Sequence, residues 1–182
     1  MESEKELLND IKAGDQHALH RLYTRFVGYA AAVGLRYVPD HDEVQDVIQD
    51  SFVKILSSAA HFEYRGEGSL KAWVLKIVAN EAISYIKKKK KFVFMDEMPD
   101  EPDVGEPEVS EVPPQVLTKL IGELPNGYRL VLNMYVFEQM SHKEIAQQLG
   151  ITENTSASQY LRAKKLLAKK IKEYLKQHDY EQ

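Results

Sequence analysis

Apolar residues recur at three- and four-residue spacing along most of the chain, which is the period of an amphipathic helix. Leu7, Leu8 and Ile11 form the first such face, and Asp15 can cap the helix that follows. No stretch alternates apolar and polar residues over the length of a strand. The pattern therefore predicts an all-α protein. The second helix turns these residues inward: Ala18, Leu19, Leu22, Tyr23 and Phe26.

Two further helices are predicted before residue 91. Pro39 ends the preceding helix, and Asp40 or Asp42 can cap the next one. After a loop, Ser69 opens a helix that ends in five consecutive lysines, Lys87 to Lys91. The apolar positions of the first helix are Val44, Val47, Ile48, Phe52, Ile55 and Leu56, and those of the second are Leu70, Trp73, Val74, Ile77 and Val78.

An acidic, proline-rich segment separates two helical regions. Residues 95–114 hold five of the seven prolines and no lysine or arginine. Such a segment buries too little apolar surface to offset its chain entropy, which predicts a flexible linker. The predicted organisation is a helical domain at 1–91, a linker at 92–114 and a second small helical domain at 115–182.

The net charge of −4 is distributed unevenly. Residues 1–91 sum to +1, residues 92–116 to −8 and residues 117–182 to +3, so the two domains can still bind nucleic acid. The chain has no cysteine, which excludes disulfides and thiolate metal sites. The first residues lack an apolar signal core, and no apolar stretch is long enough to span a bilayer, so we expect a cytoplasmic protein without membrane insertion.

Residues 141–152 have the pattern of a helix-turn-helix. Ser141 and Glu144 form a capping box, Gly150 suits the left-handed residue of a turn, and Thr152 can cap a following helix. A second helix at this spacing enters the DNA major groove. The alternative is an ordinary helical hairpin with a solvated basic face. Candidate DNA contacts on the second helix are Asn154, Ala157, Ser158, Leu161 and Arg162, with Lys164 and Lys165 suited to phosphates.

Asp46, Gln49 and Asp50 project together from the helix that begins near Asp42. This spacing fits a solvated face, a protein-binding face or a metal site. No histidine or second carboxylate cluster lies nearby to complete a metal site, so we predict no metal and no cofactor. His17 and His20 also lack further ligands and are interpreted as surface residues.

Three segments together resemble extracytoplasmic-function sigma factors. Asp46-Val47-Ile48-Gln49-Asp50-Ser51-Phe52 is similar to the family's Asp-Leu-Val-Gln-Glu-Thr-Phe signature. The run from Phe62 through Arg65-Gly66-Glu67-Gly68-Ser69, Trp73-Val74 and Ile77-Val78 to Asn80 resembles the next signature. Leu124-Pro125, Met140 to Ala146 and Leu149-Gly150-Ile151 resemble the family's C-terminal domain. The similarity covers nearly the whole chain in the family's order.

The resemblance implies a bacterial transcription initiation factor that is not an enzyme. Its first domain would dock on the β′ clamp helices of RNA polymerase core and melt the −10 promoter element. Its second domain would read the −35 element and touch the β flap, and an anti-sigma factor is a further expected partner. The implied residues for binding polymerase core are Asp46, Gln49, Asp50 and Val53. The implied residues for the −10 element are Phe62, Tyr64, Arg65, Lys76, Asn80, Lys87 and Lys88. For the −35 element, Thr155 is added to the candidate DNA contacts named above on the second helix of the helix-turn-helix.

Three positions depart from the family pattern. Ser156 and Ala157 stand where the family usually has valine and a basic residue, and Gln159 often corresponds to another base. Ser156 either weakens the core or is accommodated by its neighbours, and Ala157 removes one expected DNA contact. These departures leave open how the −35 element is read.

Within the predicted linker, the stretch from Asp96 to Glu111 has the charge sign of nucleic acid. It could mimic nucleic acid in the polymerase cleft, fold back on Lys87–Lys91 or the C-terminal lysines, or act only as a solubilising tether. Two alternatives to a sigma factor also remain: a DNA-binding regulator that never joins the polymerase, and a mimic that sequesters an anti-sigma factor. A metal-dependent enzyme is the most remote alternative.

Overall fold

The structure is a computed structural model that describes residues 2–89 and 102–179. Within these ranges the chain forms eight α-helices and two short 3-10 turns and contains no strand, so the all-α prediction is confirmed. The chain divides into two compact units, Met1–Lys89 and Lys90–Gln182.

The first unit is built on three helices that pack pairwise around one core, with α1 against α2. The residues of the predicted apolar faces are buried or half-buried, with one exception. Tyr23 is 41% exposed because it lies at the margin of its helix face, where its ring packs edge-on against Phe52 with centroids 4.7 Å apart. The helices are α1 (Glu4–Lys12), α2 (Gln16–Tyr37), α3 (His41–Ser58) and α4 (Ser69–Lys89), and a 3-10 turn (Ala59–His61) follows α3.

Gly34 allows α2 and α3 to approach closely. A Cβ atom at this position would lie 2.6 Å from Cγ2 of Val44, well inside contact distance. Glycine inside a helix costs about 0.5–1 kcal/mol relative to alanine. Here the missing side chain makes room for the α3 contact, so the close packing of the two helices offsets that cost.

The second unit packs α5, α6 and α7 against the long helix α8. Arg129 is 4% exposed, and its guanidinium donates to the carbonyls of Gly122 at 2.9 Å and Leu124 at 2.7 Å. Burial lowers the pKa of Arg129, while these bonds satisfy carbonyls at the end of α5. The helices are α5 (Pro114–Gly122), α6 (Asn126–Val136), α7 (His142–Leu149) and α8 (Glu153–Asp179), and a 3-10 turn (Val109–Glu111) precedes α5.

Local capping signals are confirmed in both units. Asp15 and Asp40 cap α2 and α3. Ser141 forms the predicted capping box at the start of α7, and Gly150 ends that helix in the left-handed conformation with φ 70°. Tyr135 on α6 is 37% exposed.

Candidate protein and nucleic-acid interfaces

One side of α3 presents a polar face with an exposed apolar edge. Asp46, Gln49 and Asp50 are exposed there, next to Val53, whose side chain is 65% exposed. The opposite side of the helix is buried in the first unit. The structure therefore brings the four predicted partner-binding residues together. Their carboxylates and carboxamide can accept hydrogen bonds from a basic partner.

The end of α4 lies beside the acidic start of α3. Lys89 Nζ is 3.8 Å from Glu43 Oε1 and 4.9 Å from the ring centre of Tyr85. The neighbouring Tyr85 side chain raises the pKa of Lys89, and the negative charges of Glu43 and Asp46 raise it further. Lys87 and Lys88 are exposed, as a DNA backbone contact requires, whereas positions 90–91 lie outside the described residues.

Lys76 and Asn80 lie one turn apart on the exposed side of α4. Lys87 continues the same stripe two turns later, and the half-buried Trp73 begins it. The stripe offers positive charge along its length and one uncharged carboxamide near its middle. This arrangement suits a nucleic-acid strand, because the cations can follow phosphates while the carboxamide reads a base edge.

The loop before α4 holds its two aromatic side chains in defined positions. Phe62 packs against Trp73 with ring centroids 5.0 Å apart, and Trp73 is only half-buried. The Tyr64 hydroxyl donates to Glu67 at 3.3 Å. Lost hydration, and then this bond, raise the pKa of Tyr64. Arg65 is exposed, so it can reach a phosphate, whereas Phe62 and Tyr64 already have protein partners.

A residue that the sequence pattern did not indicate shapes this loop. Glu4 is 2% exposed, and its carboxylate accepts hydrogen bonds from the amides of Gly68 at 2.9 Å, Leu70 at 3.0 Å and Lys71 at 3.1 Å. These are unpaired amides at the start of α4. No local signal could have revealed the cap, because Glu4 lies 64 residues before Gly68.

The predicted −35 residues lie on the side of α8 away from the core. Leu161 is 54% exposed. Thr152 caps the helix as predicted, because its Oγ1 accepts the Thr155 amide at 3.0 Å. The Ser158 hydroxyl donates to the Thr155 carbonyl at 3.0 Å. Asn154, Ala157, Leu161 and Lys164 are exposed, and Thr155, Ser158, Arg162 and Lys165 are partly exposed.

Two of the departures from the family pattern are buried. Ser156 is fully buried, and its hydroxyl lies 2.9 Å from Nδ1 of His142, so a neighbour accommodates the polar side chain. The His142 ring stacks on Tyr135 at 4.6 Å, which gives that exposed tyrosine a packing partner. Gln159 is 1% exposed and therefore does not present its side chain to DNA.

Across residues 2–89 and 102–179, no three histidine, aspartate or glutamate side chains cluster closely enough to hold a metal ion. None of the helices described there has the length and apolar character to cross a membrane.

Comparison with known proteins identifies both units. The model of sigma-70 region 2 matches residues 22–92, and the model of sigma-70 region 4 matches residues 115–167. The ECF RNA polymerase sigma-E factor of Salmonella typhimurium is 26% identical over 189 residues, which cover 93% of this chain and 94% of the relative. RNA polymerase sigma factor SigV of Bacillus subtilis is 30% identical over 131 residues, covering 72% of this chain and 77% of SigV.

A solved structure of CnrH in complex with the cytosolic domain of CnrY is also similar to the chain. The sequences are 22% identical, the alignment covers 91% of this chain and 95% of the other, and the TM-score is 0.47.

Two helical units, one with a helix-turn-helix and the other with an exposed acidic helix face, are typical of a DNA-binding protein. Because both region models and SigV match, the chain belongs to the sigma-70 family of RNA polymerase sigma factors, in its extracytoplasmic-function group. It is a promoter-specific transcription initiation factor.

Proposed function

We propose that the first unit docks on the β′ clamp helices of RNA polymerase core through the exposed face of α3. The observation that carries this proposal is the grouping of Asp46, Gln49, Asp50 and Val53 on one exposed side of a helix whose other side is buried. Arginines of a partner helix would donate charge-assisted hydrogen bonds to the two carboxylates. Val53 would pack at the edge of the contact.

The same unit melts the −10 element in this proposal. The stripe of Lys76, Asn80 and Lys87 on α4 leads a single strand along the helix, and Lys88 adds charge at its end. The loop supplies Phe62, Tyr64 and Arg65, of which Arg65 is the exposed cation. Since Phe62 and Tyr64 have protein partners, we expect them to form a pocket wall rather than a free stacking platform.

The second unit reads the −35 element as duplex through α8 and also contacts the β flap. Arg162 is the residue proposed to pair with a guanine, because an arginine fork matches two acceptors on that base edge. The other contacts on α8 are Asn154, Thr155, Ala157, Ser158, Leu161, Lys164 and Lys165.

Docking, melting and reading require no catalytic step and no cofactor from this chain. The protein would act in the cytoplasm, where the polymerase works. An anti-sigma factor is a further proposed partner, and it would compete with the polymerase for the exposed face of α3.

Binding to purified bacterial polymerase core tests the docking proposal. We expect tight binding of the full chain, measured by fluorescence anisotropy, and its loss in Asp46→Arg/Asp50→Arg. The control Glu63→Arg/Glu173→Arg makes the same charge change at two exposed positions and should bind normally. Equal binding by both double variants, or no binding by the wild type while a known sigma factor binds, would refute the proposal and leave a regulator or an anti-sigma decoy.

A further inference from the structure

The acidic segment, defined as Asp103–Glu111, lies along α8 within the second unit. Lys164 Nζ is 3.2 Å from Glu106 Oε1, and Lys172 Nζ donates to the Val104 carbonyl. One hypothesis from the charge pattern is that the acidic linker folds back onto the C-terminal lysines. These contacts place the acidic segment along α8. The described part of the predicted linker is therefore in contact with the helix-turn-helix domain.

Local bonds and one buried side chain set the path of the acidic segment. Asp103 accepts the amide of Gly105 at 2.9 Å, where the backbone adopts φ 73°. At the other end, Val112 is 7% exposed and leads directly into α5. The segment thus reaches α8 from a fixed attachment to the core.

The acidic segment and α8 line the same groove, which has a volume of about 500 Å³. Pro107 and Val109 line it from the segment, and Leu161, Lys164 and Lys165 line it from α8. The groove is largely apolar, so the segment combines an apolar contact region with acidic side chains. The contact between the acidic segment and α8 therefore combines apolar packing with the attraction of opposite charges.

The contact overlaps the proposed DNA surface. Leu161, Lys164 and Lys165 belong to the −35 set, and all three border the acidic segment. The Glu106 carboxylate lies where a phosphate would bind Lys164, because both anions offer oxygen acceptors to the ammonium group. Hydrogen bonding to Glu106 is also the main cause of the raised pKa of Lys164.

From this overlap we infer that the acidic segment masks the C-terminal half of the DNA surface on α8, and that promoter DNA must displace it. The inference rests on the proposed role of α8. The mask is weak enough to release: the Lys164 side chain is 54% exposed and that of Glu106 is 86% exposed, so solvent screens the pair. Duplex DNA offers a dense row of phosphates and competes through counterion release.

Neutralising Glu106, which contacts Lys164, together with Asp103, whose charge also acts on Lys164, tests the mask. The full chain is titrated against a labelled random-sequence duplex at low salt, with anisotropy as the readout. We expect Asp103→Asn/Glu106→Gln to bind about three- to fivefold more tightly than the wild type, as the loss of weak exposed contacts implies. The control Glu108→Gln/Glu111→Gln removes the same charge from exposed positions of the segment that make no ion pair with α8 in the described chain.

The outcomes separate the inference from the proposed function. A larger gain in the first pair than in the control supports the mask. Equal gains in both pairs would indicate a general charge effect and overturn it, and so would unchanged binding in both. Absence of DNA binding in every protein, including the wild type, would overturn both the role of α8 and the mask.

A fluorescent reporter measures displacement directly. The chain has no cysteine, so Val109→Cys gives a single labelling position at the groove. An environment-sensitive dye there should shift to longer emission wavelength on saturation with duplex DNA. Adding Asp103→Asn/Glu106→Gln should produce part of that shift before DNA is added. Unchanged emission at saturation would show that the segment stays in place and would overturn the inference.

Discussion

The carboxylate of Glu4 caps α4 at Leu70, with 3.0 Å between Glu4 Oε2 and the Leu70 amide nitrogen. The amides at the start of a helix have no partner within it, and a negative charge is favourable there. Because Glu4 also accepts from Gly68, this one buried side chain joins α1 to the loop proposed to hold the −10 strand. The geometry of that loop therefore depends on a residue that touches no DNA.

Glu4→Ala should lower the free energy of unfolding of the first unit by about 1–3 kcal/mol, since it leaves buried amides without an acceptor. Glu4→Gln should cost less, because its carboxamide oxygen still accepts. Denaturant unfolding followed by the fluorescence of Trp73, the single tryptophan, measures the change. Lys5→Ala, at an exposed position of α1, is the control, and an equal loss there would contradict the capping role.

Ser156→Ala should destabilise the second unit by about 1–2 kcal/mol, because it leaves Nδ1 of His142 without its partner. Hydrogen exchange of the amides of α7 and α8 in the full chain reports the change. Ser158→Ala is the matched control, since that hydroxyl bonds only the backbone of its own helix. If the effects of Ser156→Ala and His142→Ala simply add in the double variant, the two side chains are not coupled and the prediction fails.

Asn80→Ala should reduce open-complex formation, because this carboxamide is the group on α4 proposed to read a base edge. Polymerase binding should stay normal, because Asn80 is exposed on α4 and lies outside the proposed docking face on α3. Permanganate footprinting of unpaired thymines measures melting, and anisotropy with core measures binding. Gln16→Ala removes an exposed carboxamide from the start of α2 and serves as the control. Wild-type melting by Asn80→Ala would remove this residue from the −10 set.

Arg162→Ala should weaken binding to the preferred −35 duplex by about 1–3 kcal/mol if the guanidinium pairs with guanine. The preferred duplex is first selected from a random library with the polymerase holoenzyme. Arg162→Lys keeps the charge but loses the two-pronged donor, so it should recover nonspecific affinity without sequence preference. Recovery of both properties by lysine would assign Arg162 to a phosphate instead of a base.

Local signals predicted much of the fold and part of the candidate site. The capping box at Ser141, the turn at Gly150 and the exposed face around Asp46 each depend on residues within a few positions of one another. Helical periodicity then indicates which side of each segment is buried. Tyr23 was misassigned because a tyrosine at the margin of a face can pack its ring while its hydroxyl reaches solvent.

By itself, the sequence determined the helices, their caps, the two-domain division and the family, because periodicity, capping and motif order are local properties of the chain. Only the tertiary structure decided which distant residues meet. The Glu4 cap, the burial of Ser156 against His142 and the contact of Glu106 with Lys164 join residues that no spacing rule relates. The first two contacts form because packing brings unpaired polar groups together, and burial then makes a missing partner costly. The exposed contact of Glu106 with Lys164 forms because the acidic segment packs along α8.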